Sequence, residues 1–131
     1  MRTDLVSHLD PAVTLAPAAA RTASANGTGV DLANYDAVMV EIHAGAWTDG
    51  SHAFEVQESD SSGSGYTAVA DAYLSGTEPT VSSGGTASQV YKIGYLGIKR
   101  YLRVITTVSG SPSTGAVYAA TIVRGKPRVK P

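Results

Sequence analysis

The sequence contains no cysteine, which excludes disulfides, thiolate metal sites and a cysteine nucleophile, and suits assembly in a reducing compartment. It also lacks any apolar run long enough to span a bilayer, so no membrane partner is expected. The opening residues, Met1 to His8, hold no apolar core of signal-peptide length, and the chain is expected to be soluble and unprocessed. Leucine and lysine are few, and long helical periodicity is missing. What is abundant is Gly, Ser, Thr, Ala and Val, a composition that favours short strands and many turns. At 131 residues the chain fits one domain, large enough to fold without a staple.

Net charge is only −1, but its distribution is uneven. From Thr22 to Tyr91 there are nine acidic residues and no Lys or Arg; from Lys92 to Pro131 there are eight basic residues and no acidic one. Two arrangements account for such a split. Acidic and basic strands pair within one sheet, where cross-strand ion pairs favour them. Alternatively, faces of opposite sign meet on neighbouring subunits and fix their orientation.

Residues 1–29 read as an extended N-terminal arm. Pro11 and Pro17 interrupt regular structure, Asn26-Gly27-Thr28-Gly29 is a turn signal, and Leu5, Val6, Val13 and Leu15 are the arm's apolar contacts. Val13 and Leu15 have the capacity to add one edge strand. The Asn26-Gly27-Thr28 sequon is a chance match in a chain without a secretory signal.

The body, residues 30–124, carries alternating segments. Val38, Val40 and Ile42 alternate with Met39, Glu41 and His43. Thr48-Asp49-Gly50-Ser51 then predicts a hairpin turn, with a return strand Ala53 to Glu58 that points Phe54 and Val56 inward and Glu55 and Gln57 outward. Tyr66 to Leu74 predicts a further strand and Gln89 to Ile93 a short one, followed by a bend at Gly94-Tyr95-Leu96-Gly97. Tyr101 to Val108 places Leu102, Val104, Thr106 and Val108 on one face. Ala116 to Val123 is apolar on both faces and predicts a central or doubly covered strand. The basic tail, residues 125–131, is expected to stay out of any sheet interior because its prolines lack donors. Short strands at this spacing predict an all-β fold, an antiparallel β-sandwich of jelly-roll or immunoglobulin-like connectivity.

No residue pattern points to catalysis. A Ser-His-Asp arrangement from His52, Asp49 and a serine lacks a nucleophile-elbow sequence, and His52 reads as a turn residue. Asp60-Ser61-Ser62-Gly63 lacks the alternating acids of a calcium loop, so neither a metal nor a cofactor is expected. Tyr91, Tyr95 and Tyr101 lie among Lys99, Arg100 and Arg103, a mixture that suits either nucleic acid or a protein interface. The slightly acidic chain matches no nucleic-acid module, which favours the protein interface. Trp47 and the tyrosines would suit a carbohydrate-binding sandwich only if they formed an exposed coplanar row.

Several segments resemble small proteins encoded in tailed-phage and prophage head-gene clusters. They are Ala19 to Leu32, Gly45-Ala46-Trp47-Thr48-Asp49-Gly50, Phe54 to Asp60, Tyr91 to Val104 and Gly115 to Ala120. The resemblance covers most of the chain from about residue 19 and brings no catalytic motif. It implies a virion structural protein made in the host cytoplasm and carried on the capsid exterior, a head decoration or cement protein. It further implies the major capsid protein as partner and a homo-oligomer, with a trimer favoured. A neck, tail or fibre-associated component is the alternative within the virion.

Overall fold

Alternating apolar and polar residues give strands with one dry face, and two sheets of such strands close over a shared core. A computed structural model describes residues 1–128. In chain order the strands are β1 (Leu9–Leu15), β2 (Ala25–Asn26), β3 (Val30–Asp31), β4 (Tyr35–Trp47), β5 (Ser51–Ser59) and β6 (Thr67–Ala68). They continue as β7 (Leu74–Ser75), β8 (Thr80–Val81), β9 (Gln89–Tyr95), β10 (Tyr101–Ser109) and β11 (Ala116–Pro127). The first sheet, sheet A, runs β1-β11-β4-β9-β7; the second, sheet B, runs β2-β10-β5-β6, with β3 also on β10 and β8 also on β5. Every pairing is antiparallel. The protein is an all-β antiparallel sandwich, as the sequence predicts.

Val40 and Ile42 of β4, Val56 of β5, Leu102 and Val104 of β10, and Ala120 and Ile122 of β11 are completely buried between the sheets. Each large aliphatic side chain among them contributes roughly 2 kcal/mol by leaving water. Phe54 and Val56 point inward, as their alternation requires, and β11 lies between β1 and β4, as its continuous apolar run predicts.

The turn at Thr48–Ser51 does not close a hairpin. β4 belongs to sheet A and β5 to sheet B, so the chain crosses from one sheet to the other at this corner. β10 and β11 cross beside it in the same way, because β4 pairs with β11 and β5 with β10. The four strands form one long antiparallel ribbon folded over on itself, which is closer to jelly-roll wrapping than to the immunoglobulin fold. A turn sequence between two amphipathic strands serves either geometry, since both bury one face of each strand.

The segment Tyr66 to Leu74 is not one strand. It pairs at Thr67–Ala68 with β5, turns through 3-10 helix at Asp71–Tyr73, and pairs at Leu74–Ser75 with β9 of the opposite sheet. Val69 and Leu74 are both buried, and a straight strand cannot bury both while changing sheets.

Most of the expected arm is sewn into the sandwich. β1 pairs with β11 from Leu9 to Leu15, and Leu15 is buried. Thr14 donates through Oγ1 to the Thr28 carbonyl and accepts from the Val104 amide, tying β1 to β10 of the other sheet. Gly27 makes this possible, because a Cβ there would overlap the Val104 carbonyl oxygen. Residues 1–6, Leu5 and Val6 among them, are exposed, and the 3-10 turn Val6–His8 lies beside β11. The tail also differs from expectation. β11 continues through Gly125, opposite Leu9 and Ala37, to Pro127, opposite Tyr35. Pro127 ends the strand opposite Tyr35, and the Arg128 amide after it bonds to the Asn34 carbonyl. Residues 129–131 of the expected tail lie outside the described residues.

Candidate interaction surface

The residues singled out from the sequence fall into three environments. Tyr95 is buried, and its hydroxyl donates to Glu58 Oε1 at 2.7 Å while accepting from the Lys99 amide. Burial, then the bond to Glu58, pushes the phenol far above its ordinary range. Tyr95 therefore ties the two sheets together, with its hydroxyl used inside the molecule. Tyr91 packs partly buried against the core and donates to the Thr86 carbonyl at 2.7 Å. Neither belongs to an exposed surface. Val13 is exposed on the outer side of β1, whereas Leu15 is core.

Lys99 and Arg100 sit in the β9–β10 connection. Lys99 pairs with Asp60 at 2.8 Å, and Arg100 grips Asp31 through two nitrogens at 3.0 and 2.9 Å. That grip, more than any other contact, holds the Asp31 carboxyl below its usual range. Arg128 pairs with Asp36, and Arg124 with Asp10. Lys92 faces Glu41 across the β4–β9 ladder. Acidic and basic parts of the chain thus meet inside one molecule, the first of the two arrangements the charge split allowed.

Tyr101 and Arg103 lie on the outer face of β10, on the side away from buried Leu102, Val104 and Thr106. Arg103 stacks over the Tyr66 ring at 4.2 Å and donates through Nε to Gln57 at 2.9 Å. Arg100 stacks over the Tyr101 ring at 5.2 Å. Stacking holds each guanidinium plane in place, so the patch is ordered before anything binds it. Ile105 continues the same outward row. Tyr66 was missed as a site residue because its partner lies far away in sequence. Interleaved Tyr and Arg in the β9–β10 region was the signal that did locate Arg103.

At this end of the sandwich a groove of about 480 Å³ runs between the loop before β4 and the β9–β10 loop. Leu32, Val38, Tyr95 and Ile98 line it together with Arg100 and Arg128. Tyr35, which also lines the groove, donates to Asp10 at 2.6 Å, a bond that raises its pKa.

The would-be catalytic residues are structural. His52 is completely buried, contrary to its reading as a turn residue, with Nδ1 3.0 Å from the Tyr118 hydroxyl and Nε2 3.1 Å from the Asp49 carbonyl. Both ring nitrogens are used, so none is left for a serine. The Asp49 carboxylate instead accepts from the Ser113, Thr114 and Gly115 amides, and those bonds lower its pKa. Trp47 is partly buried against the core and donates to the Gly50 carbonyl, so it joins no exposed aromatic row. Among the described residues, no three His, Cys, Asp or Glu side chains gather closely enough to hold a metal ion.

The sequence matches no protein-family model and no curated protein.

Proposed function

We propose that this protein is a head decoration protein of tailed-phage type, which binds the outer surface of the major capsid lattice and bridges capsomers. The observation that carries the binding reading is the pair of stacked Arg–Tyr contacts, Arg103 on Tyr66 and Arg100 on Tyr101, along the outer side of β10. Tyr and Arg are the side chains that most often anchor protein interfaces, and ordering them beforehand reduces the entropy lost on docking. The lattice itself is inferred from the resemblance of five segments to head-gene-cluster proteins. Repeated docking of an oligomer on a lattice gains avidity, because each further contact is effectively intramolecular. No cofactor, metal or nucleic acid enters this role.

The test is binding to particles that lack the protein. Arg103→Ala and Tyr101→Ala, each a half-buried residue on the outer face of β10, should leave folding intact and weaken binding at least tenfold, as loss of an interface anchor does. Full occupancy by both variants at wild-type concentrations would remove β10 from the docking surface. Absence of the protein from purified particles would remove the virion role itself.

A further inference from the structure

The pair Asn26-Gly27 carries a chemistry of its own besides the sequon. An asparagine followed by glycine is open to attack by the backbone on its own side chain, because glycine has no Cβ to shield or restrain its amide. The chain holds two asparagines, Asn26 and Asn34, and the bulky Tyr35 shields the amide that follows the second. Asn26 is exposed on β2, whereas Gly27 after it is buried. Water therefore reaches the Asn26 carboxamide, but the nitrogen that would attack it is not free.

The Gly27 amide donates to the Val104 carbonyl at 2.8 Å, and the Thr28 amide to the Thr14 carbonyl at 2.6 Å. Thr14 Oγ1 donates to the Thr28 carbonyl at 2.7 Å and accepts from the Val104 amide at 3.2 Å. These bonds enclose Gly27, where even a Cβ would overlap oxygens of Val104 and Thr14. Attack requires the Gly27 nitrogen to lose its proton and turn toward Asn26 Cγ. Both movements break its bond to Val104.

We propose that Asn26 is a latent deamidation site, kept unreactive by the stitch of β1, β2 and β10, and that its conversion to isoaspartate opens that stitch. In the reaction the Gly27 nitrogen bonds to Asn26 Cγ, the Cγ–Nδ2 bond breaks, and ammonia leaves carrying the proton the amide lost. Water then opens the resulting succinimide at either carbonyl, giving aspartate or isoaspartate. The first step waits for local opening of the segment, so its rate follows the open population. Isoaspartate lengthens the backbone by a methylene just before Gly27. With no free space around Gly27, the added length takes Gly27 and Thr28 out of register with Val104 and Thr14. Aspartate changes only an exposed side chain and leaves the stitch closed. The site is independent of the capsid role.

The experiment follows Asn26 by peptide mass mapping of wild type kept at mildly alkaline pH, either folded or unfolded in guanidinium. Folded protein is expected to convert at least about tenfold more slowly than unfolded protein, with Asn34 slow in both. Thr14→Val removes both Oγ1 bonds and is expected to speed conversion several-fold in the folded protein. Val81→Ala, which weakens the core on the other side of β5, is expected to leave the rate unchanged. If Thr14→Val fails to fold, Ser24→Ala takes its place, since Ser24 Oγ anchors β2 by accepting from the Val108 amide at 2.9 Å. The isoaspartate form, isolated by chromatography, is expected to lose amide-exchange protection at Thr28 and Val104, while Asn26→Asp retains it. Equal rates in folded and unfolded protein, no acceleration in the stitch variant, equal acceleration in Val81→Ala, or an isoaspartate form with full protection would each overturn the proposal.

Discussion

The two ends of the sandwich are held by different means. At the corner end, where β4 passes to β5 and β10 to β11, one carboxylate and one buried imidazole organise both crossings. Asp49 accepts from the Ser113, Thr114 and Gly115 amides, and His52 joins the Asp49 carbonyl to Tyr118, whose hydroxyl lies 3.5 Å from Thr106 Oγ1. The backbone of Arg21 bonds in both directions with Ala116, and Gly115 has φ +84 where a Cβ would overlap the Arg21 carbonyl. At the opposite end, Arg100–Asp31, Lys99–Asp60 and Arg128–Asp36 are exposed pairs around an open groove. Exposed pairs add little stability and weaken with salt, whereas buried bonds that cross between sheets are costly to lose. The corner end is built to stay closed, and the charged end leaves a surface that a partner is able to use.

Substitutions can break that contrast. His52→Ala should have the largest effect, because it empties a buried site and leaves the Tyr118 hydroxyl only its long contact with Thr106: about 3 kcal/mol in urea unfolding, and a loss below about 1 kcal/mol would contradict a structural corner. Tyr118→Phe removes only the hydroxyl and should cost about 1–2 kcal/mol by the same measurement.

Asp49→Asn is informative through pH. The Asp49 carboxyl is held below its usual value of 3.8 by the loop amides, so its contribution is complete above that value and fades as pH falls through the folded pKa. Wild type should therefore lose stability on acidification through this range, and Asp49→Asn should be less stable at neutral pH with a flatter acid limb. Glu78 has the opposite sign. Burial raises its pKa above 4.5 although it accepts from the Val56 amide, so its ionised form is disfavoured in the folded state. Stability from this group falls as pH rises through the raised value. Glu78→Gln should keep the acceptor, match or exceed wild-type stability at pH 7, and lose that dependence in pH-resolved unfolding.

Arg128→Ala and Asp31→Asn at the charged end should change the melting temperature least. High salt should erase whatever difference remains. A shift as large as that of His52→Ala would dissolve the distinction between the ends.

Much of the fold was legible because it rests on period-two alternation. Val40 and Ile42, Phe54 and Val56, and Leu102 and Val104 mark their inner faces directly, and the same parity puts Tyr101 and Arg103 outside. Sheet membership was not legible. Thr48 to Ser51 turns the chain in either a hairpin or a crossing, and the deciding partners of Asp49 lie more than sixty residues away in sequence. The N-terminal segment escaped for a related reason. Two-residue strands and the Thr14 hydroxyl bonds have no periodicity to read. The candidate surface was half visible: the density of Tyr and Arg located Tyr101 and Arg103, but buried Tyr95 looks the same in sequence. Ile98 follows a glycine in a bend, where alternation cannot tell inside from outside.

Docking of the outer face of β10 on a capsid lattice is the proposed role. A density map of purified particles at side-chain resolution tests it most directly. Under the proposed role the map shows this sandwich over the whole head, with Tyr66, Tyr101 and Arg103 facing the shell. Its absence from the head surface, or a copy there with that face turned to solvent, would contradict the claim.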